Sequence, residues 1–582
     1  MRNAVPYDQY LSSFHPLHWY LIGLTMLKIR EIVLTIIVLF WSTQGYTESH
    51  KVAIASAHPL ATAAGFEVLA KGGNVYDAAI AVSAALAVVE PWASGLGGGA
   101  YWLLHREKDN VDTLIDGREK APLAAHKDMF LNKDGKVIEK LSLDGALAAA
   151  IPGMPAGLVH LSEKYAQLSL ADDLAPAIRY AQTGFAVGER YLKLLKFRAA
   201  TLKQYPETAR LFLLEGEVPK PFSILRQPDL ANTLTRLANS GRDGFYSGTT
   251  ADKLVEGVRN AGGIWTKEDL EAYQVVERKP VTGHYKGIKV TSAAPSSSGG
   301  IVLIEALNIL EGYDLQKLTE LNRKHIIIEA MRRAYHDRSL YLGDRDFIKV
   351  PVERLINEDY AAGLRSSIRL DKALPSSQMS GQIEIQAEGI DTTHFSIIDD
   401  EGNRVAATLS INFPFGSGVV APGTGIVLNN EMDDFDSTPG AMNSYGLIGG
   451  VANAIAPGKR MLSSMTPTFL ETDKEVAVLG TQGGSKIISM VLLGTLDFAE
   501  GHGPDSWVNK PRYHHQFMPD VIEYENGAFS NEEIANLKNL GHELKPVRYP
   551  YGDMQAVLLN KSTKQLSAAS DKRGEGRAVV GK

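Results

Sequence analysis

The chain contains no cysteine in 582 residues. That absence excludes disulfides, thiolate metal sites and a cysteine nucleophile. No block of Lys or Arg occurs, and the net charge is only −7, so no electrostatic footprint for nucleic acid is present. The sequence has no G-x-S-x-G elbow, which argues against a conventional serine hydrolase. Internal repeats and low-complexity tracts are also missing. What remains is ordinary: 44% apolar and 22% charged residues, the balance of a folded soluble protein. The length allows several domains or one large α/β unit.

Long apolar runs are scarce. Lys28 and Arg30 precede an apolar stretch over 32–41, followed by Ser42-Thr43-Gln44-Gly45. A short basic segment, about ten apolar residues and small residues beyond them describe a secretory signal. Ten residues fall short of the roughly 20 that span a bilayer, so no stable membrane span is expected. Met26 is a plausible start, and export to the periplasm or medium is the expectation. Residues 19–27 are apolar too, which keeps an uncleaved N-terminal anchor as the alternative.

Further along, residues 51–56 read as a strand. Asn74, with Asp77 three residues later, reads as the cap of a helix that Pro91 ends. The loop Ser94-Gly-Leu-Gly-Gly-Gly99 then leads into a strand over 100–105. A dinucleotide fingerprint needs a strand before its glycines and a helix after them. Here the order is reversed, so close backbone packing is the better reading. Residues 150–275 are mainly helical by pattern, including 174–184 and 230–237. Another helix starts after Pro295-Ser-Ser-Ser-Gly-Gly300, and 325–337 has an amphipathic repeat. The polar stretch 371–388 reads as an exposed linker. From residue 392 strands dominate, before late helices such as 531–540. His514-His515 invites a metal reading, but neighbours on a strand point to opposite faces, which favours a structural role.

The most informative segment is Asp391-Thr-Thr-His-Phe395. An alternating strand over 392–399 turns at Asp400-Glu401-Gly402 and returns through 403–412. A three-residue loop ending in glycine fits a type I turn closed by a glycine bulge. That register pairs Asp399 with Asn403 and, counted outward, Thr392 with Ser410, whose hydroxyls then lie within reach of each other. A nucleophilic Thr needs a base, and cleavage of the Asp391–Thr392 bond would supply one as its own α-amine. That amine has a reference pKa of about 7.7–8.0.

The segment DTTHFSIIDDEGNRVAATLSINFPFGSGVVAPGTGIVLNNEMDDF resembles the gamma-glutamyltranspeptidases, proenzymes of the N-terminal-nucleophile hydrolase superfamily. KGGNVYDAAIAVSAALAVVEPWASGLGGGAYWLL, IDGREKAP, LDGALAAAIPGMPAGL, PGKRMLSSMTPT, GTQGGSKI and PRYHHQ extend the resemblance in colinear order from about residue 51 to the C-terminus. The resemblance implies a four-layer αββα sandwich, whereas periodicity shows only mixed α/β content. It also implies a signal-bearing extension over 1–45, a large subunit over 46–391 and a small subunit over 392–582, paired as a heterodimer.

For the site, the resemblance implies that Thr392 is nucleophile and base, with Ser410 orienting it and the Gly483 and Gly484 N–H groups forming an oxyanion hole. Arg118 would grip the donor's α-carboxylate, helped by Ser463 and Ser464. Asn412, Glu431 and Asp434 would accept from its α-ammonium, beneath a flap over 439–450 carrying Tyr445. Substrates would be glutathione and other γ-glutamyl compounds, with amino acid or dipeptide acceptors, and no cofactor is called for. Taken singly, each residue has a plainer reading: Arg118 as a surface ion pair, the two serines as a turn, 431–434 as a solvated or metal-binding acidic loop. Two positions depart from the common pattern. Ser410 stands where Thr is frequent, and Glu431 where some relatives have Gln. A glutaryl-type cephalosporin acylase of the same fold and an exported amino-acid-binding protein are the competing readings.

Overall fold

The computed structural model describes residues 50–379, 392–436 and 450–582. The signal segment, Asp391, and Tyr445 with most of its flap lie outside the described residues. Within the unit formed by residues 51–582, strands β1 (Val52–Ser56), β2 (Gly99–Arg106), β3 (Val111–Gly117) and β4 (Val276–Arg278) precede β5 (Val281–Tyr285) and β6 (Ile288–Ser292). The hairpin strands β7 (Thr393–Asp399) and β8 (Arg404–Ser410) follow, then β9 (Thr468–Glu471) and β10 (Glu475–Gly480). The chain closes with β11 (Gln555–Asn560), β12 (Gln565–Ser570) and β13 (Arg577–Gly581).

These strands form a seven-stranded sheet ordered β13-β1-β7-β8-β2-β3-β4 and a six-stranded sheet ordered β12-β11-β10-β9-β6-β5. Every pairing in both is antiparallel. Strand periodicity divides the first sheet between two cores. Phe395, Ile397, Val405 and Ala407 join helices α1 (Val75–Val89), α2 (Leu170–Thr183) and α3 (Pro228–Ser240) in one core. Ile398, Ala406, Tyr101 and Leu103 face the second sheet, whose far side is covered by α4 (Gly299–Glu311), α5 (Glu320–Tyr341) and α6 (Lys486–Ala499). Helices, sheet, sheet and helices make the expected four layers.

Local signals account for much of this. Asn74 caps α1 as expected: its side chain accepts from the Tyr76 and Asp77 N–H groups at 2.7 and 3.1 Å. Asp77 answers by accepting from the Asn74 N–H at 2.8 Å. The hairpin has the expected register, with the Asp399 N–H donating to the Asn403 carbonyl at 3.0 Å and Leu409 paired with Thr393. The glycine-rich loop is a packing device. A Cβ on Gly97 would sit 2.0 Å from the Val427 carbonyl oxygen, and one on Gly98 would sit 2.0 Å from that of Ser410.

Three readings need correction. Helix α5 is buried on nearly every face between His325 and Arg338, so it is not amphipathic there. Its charges are paired internally: Arg333 and Arg332 donate to Glu329 at 2.7 and 3.1 Å. The described start of the supposed linker is only partly exposed: Asp371, Lys372, Ser377 and Gln378 are exposed, whereas Ala373 and Ser376 are buried. Ser376 is fully buried, its N–H donating to Asp520 at 2.7 Å and its hydroxyl to the Phe517 carbonyl at 2.6 Å. Helix α6 was not foreseen, because an apolar run buried all round carries no helical stripe. His514 and His515 are both buried and structural, His514 bridging Ser489 and Gln516, and His515 bonded to Asp520 at 3.1 Å.

Gly98→Ala should test the packing role of the loop. The added methyl must push the Ser410 carbonyl away, and overpacking of this kind costs about 1–3 kcal/mol. A thermal melt should show a Tm several degrees below wild type, and an unchanged Tm would refute the role.

Candidate active site

Thr392 immediately precedes β7 and continues its register opposite Ser410. By alternation it shares the inter-sheet face with His394 and Ser396. That face is tied to the second sheet, since the Ser396 hydroxyl donates to the Gln555 carbonyl at 3.0 Å. With the Ser396 proton so committed, His394 Nε2–H donates to Ser396 Oγ and Nδ1 accepts from Thr408. Burial holds His394 neutral, its pKa pushed down to about 3. On the opposite face the Thr393 hydroxyl donates to Glu90 at 2.6 Å, at the C-terminal cap of α1. The residues that follow Thr392 are therefore anchored on both faces of the sheet.

Thr392, which is 4% exposed, lines a small polar cavity. Around it stand Arg118, Ser410, Asn412, Glu431, Asp434, Ser463, Ser464 and Gly484, with Arg338, Leu462, Met465, Ser485 and Ile487. Residues far apart in sequence thus meet at one cavity. Gly483 adjoins Gly484 without lining the cavity itself. Ser410 Oγ accepts from the Asn412 N–H at 2.8 Å. Asn412 adopts a left-handed conformation, φ 74°, which asparagine tolerates better than most residues. Its amide donates to the Asn430 carbonyl at 3.0 Å, fixing the loop after β8.

Arg118 is almost fully buried at the end of β3. Asp116 accepts its N–H at 3.0 Å, and Tyr273 donates to its carbonyl at 2.8 Å. The guanidinium faces three carboxylates: Asp434 at 2.5 Å, Glu431 at 2.6 Å and Glu119 at 3.4 Å. Residues 431–434 form a 3₁₀ turn, in which positions i and i+3 eclipse, so Glu431 and Asp434 point the same way. Asp433 points elsewhere and accepts from Ser142 at 2.6 Å. Asn429 links this turn to the glycine loop, accepting the Glu431 N–H at 2.9 Å while donating to the Gly97 carbonyl at 2.6 Å.

One guanidinium does not neutralise three buried acids. Burial, reinforced by the neighbouring carboxylates, pushes Glu119 and Glu431 up to about 7 and Asp434 up to about 8 against the pull of Arg118. Buried oxygens of Glu119 and Glu431 have no hydrogen-bond partner among the described residues. The arrangement suits a ligand that brings a cation and hydrogen-bond donors to this wall.

Two residues beyond Met461, whose carbonyl accepts from Arg118 Nε at 3.3 Å, Ser463 Oγ accepts from the Met465 N–H at 3.0 Å, and Ser464 Oγ accepts from Arg338 at 3.3 Å. Gly483 and Gly484 have φ of 134° and 56°, conformations that favour glycine, and lead into the N-terminus of α6. A helix N-terminus favours developing negative charge. Sequence reasoning missed Glu119 and Arg338. Glu119 was legible as the neighbour of Arg118, whereas Arg338 was absorbed into a helical pattern and carried no separate signal.

Known proteins resemble this chain over most of its length. The family described as Gamma-glutamyltranspeptidase matches residues 61–581. A glutathione hydrolase proenzyme of Escherichia coli (strain K12) is 41% identical over 535 residues, covering 91% of both chains. One of Pseudomonas sp. (strain A14) is 43% identical over 511 residues, covering 87% of this chain and 88% of its own. Among solved structures, a cephalosporin acylase from Bacillus halodurans superposes with a TM-score of 0.81 at 28% identity. It covers 91% of this chain and 96% of its own. Helicobacter pylori gamma-glutamyltranspeptidase gives a TM-score of 0.55 at 42% identity, covering 57% of this chain and 97% of its own.

The acid wall has a pH signature. Its carboxylates hold protons more tightly folded than unfolded, so their contribution to stability is lost as pH rises from about 4 through about 7–8. A bound ammonium favours their ionised forms and should bind more tightly across the upper part of that window. Saturating L-glutamate should therefore raise Tm more at pH 8 than at pH 6, and Glu431→Gln should shrink the difference. An equal or smaller shift at pH 8 would sink the idea. Arg118→Ala leaves the three acids without their cation, and breaking a buried pair costs about 3–5 kcal/mol. Its Tm should fall further below wild type at pH 8 than at pH 6, where the acids take up protons.

Proposed function

The chain belongs to the gamma-glutamyltranspeptidase family, and on that premise we propose that it is a self-cleaving γ-glutamyltransferase and glutathione hydrolase. The observation that carries this reading is the convergence of Thr392, Ser410, the serine pair and the acid wall on one cavity.

In maturation, Thr392 Oγ attacks the Asp391 carbonyl, the peptide bond shifts from nitrogen to oxygen, and water hydrolyses the resulting ester. The products are residues 46–391, once a signal over 1–45 is removed, and 392–582 with Thr392 at its N-terminus. No other protease is needed. The Helicobacter pylori chain, matched over 97% of its length by 57% of this one, supports a piece of that size. No helix among the described residues is long and apolar enough to cross a membrane. We place the mature protein in the periplasm or outside the cell.

In turnover, the freed amine takes the Thr392 hydroxyl proton as Oγ attacks the γ-carbonyl of the donor. The oxyanion forms against the N–H groups of Gly483 and Gly484. Losing one donor of this kind costs about 2.7–4 kcal/mol elsewhere. Collapse expels the amine, which takes the proton from Thr392, and leaves a γ-glutamyl ester. Water then gives glutamate, whereas the amine of an amino acid or dipeptide gives a new γ-glutamyl amide. Ser463 and Ser464 donate to the α-carboxylate beside Arg118, while Asn412, Glu431 and Asp434 accept from the α-ammonium. No metal or cofactor enters any step.

The acylase has the higher TM-score, but its identity is 28% against 41–43% for the glutathione hydrolase proenzymes. A glutaryl group has no ammonium, so it would bring no second cation to Glu431 and Asp434, which share Arg118 with Glu119.

Intact mass and N-terminal sequencing of purified protein should find a fragment beginning at Thr392. Thr392→Ala should stay full-length and inactive, and an active uncut chain would end the proposal. γ-Glutamyl anilide should be favoured over glutaryl anilide by about 100-fold in kcat/KM, since hydrogen bonds to charge contribute about 1.5–3 kcal/mol each. A glutaryl preference would move the protein to the acylases.

A further inference from the structure

Arg338 is 5% exposed and reaches the cavity from the last turn of α5. Its Nε donates to Ser298 Oγ at 3.0 Å and one terminal nitrogen donates to Ser464 Oγ at 3.3 Å. Among the described residues it forms no ion pair, whereas Arg118 is ringed by three carboxylates. Ser298 passes the contact on: its hydroxyl and its N–H donate to the Ser463 carbonyl at 2.7 and 2.8 Å. One guanidinium therefore braces the side chain of Ser464 and, through Ser298, the backbone of Ser463.

We infer that Arg338 is a positioning residue for the carboxylate end of the donor, acting through Ser464 and, by way of Ser298, through Ser463. This rests on the γ-glutamyl reading given above. A hydroxyl that accepts from a guanidinium keeps its own proton for another acceptor and is polarised toward giving it. Ser464 is thereby held as a donor. No acid among the described residues lies within ion-pair distance of Arg338, although Asp434 and Asp436 act on it at longer range, whereas Glu119, Glu431 and Asp434 all crowd Arg118. A free amino acid end, with one charge of each sign, then has one favoured orientation: carboxylate toward the serines, ammonium toward the acids. That orientation leaves the γ-carbonyl on the Thr392 side.

The test compares Arg338→Lys, Arg338→Met, Ser464→Ala and the Met/Ala double variant on two anilides. γ-Glutamyl anilide carries the α-carboxylate; 4-aminobutyryl anilide has the same chain and amine without it. The appearance of a fragment starting at Thr392 checks that each variant folds and matures. For Arg338→Met, KM for the γ-glutamyl substrate should rise at least about 10-fold with kcat within about 3-fold, the signature of lost ground-state binding. kcat/KM for the 4-aminobutyryl substrate should stay near wild type, and Arg338→Lys should recover part of the loss. The double variant should lose less than the product of the single losses, since both act through one contact. Equal losses on both substrates, or an unchanged KM for the γ-glutamyl anilide, would overturn the inference while leaving the γ-glutamyl activity standing. A wild type that matures but cleaves neither substrate would instead refute the activity, and this inference with it.

Discussion

The carboxylate of Asp399 fixes the register on which the site is built. It accepts from the Gly402 and Asn403 N–H groups at 2.7 and 2.8 Å and from the Asn403 side chain at 2.8 Å. Those bonds lock the turn, and the turn locks the pairing of β7 with β8. A slip of one residue would exchange the faces of the whole strand. Thr392 would then point into the helical core and Thr393 into the cavity. The correct register is held at the far end as well, where Thr393 meets Glu90 and the Ser410 carbonyl presses on Gly98.

Charge is the second organising quantity. The cavity is walled by groups that are costly to bury and are not fully satisfied by one another. Arg118 alone serves three acids, so those acids drift toward neutrality near pH 7. Such a wall is poorly satisfied by the protein itself and is better matched by a ligand carrying its own cation. Asp116 shows the contrasting case. It is equally buried, but Arg278 at 2.6 Å and Arg460 at 3.4 Å hold its carboxyl below the usual range. Acids three residues apart in one chain segment thus have opposite shifts, because two arginines offset the burial of Asp116, whereas the burial of Glu119 is opposed only by Arg118, which it shares with two other acids.

Much of this was legible before any coordinates. The Asn74 cap, the hairpin register and the reversed order around the glycine loop follow from local rules. The partners of Thr392 did not; they came from family resemblance, because no spacing rule joins residues 118, 412, 431 and 463. Burial defeated the rest. Helix α5 carries charges that look solvent-facing until their partners Glu329 and Asp520 are placed beside them. Ser376 looks like linker until Asp520 and Phe517 hold it. Asp520, shared by Arg332 and Ser376, is distant from both in sequence, and a one-dimensional pattern has no access to it.

The strand order carries a last consequence. Residues before a cut at 391 supply β1 to β6, and residues after it supply β7 to β13. In the first sheet β1 is hydrogen-bonded on one side to β13 and on the other to β7, so a strand of the first piece is held between two strands of the second. In the second sheet β6, from the first piece, pairs with β9, from the second. The pieces are interleaved rather than docked. They have no interface that could open while each half keeps its fold, so parting them and unfolding them are one event. Dilution should therefore not separate pieces made by such a cut, and a chain cut there would keep the cooperativity of the uncut one.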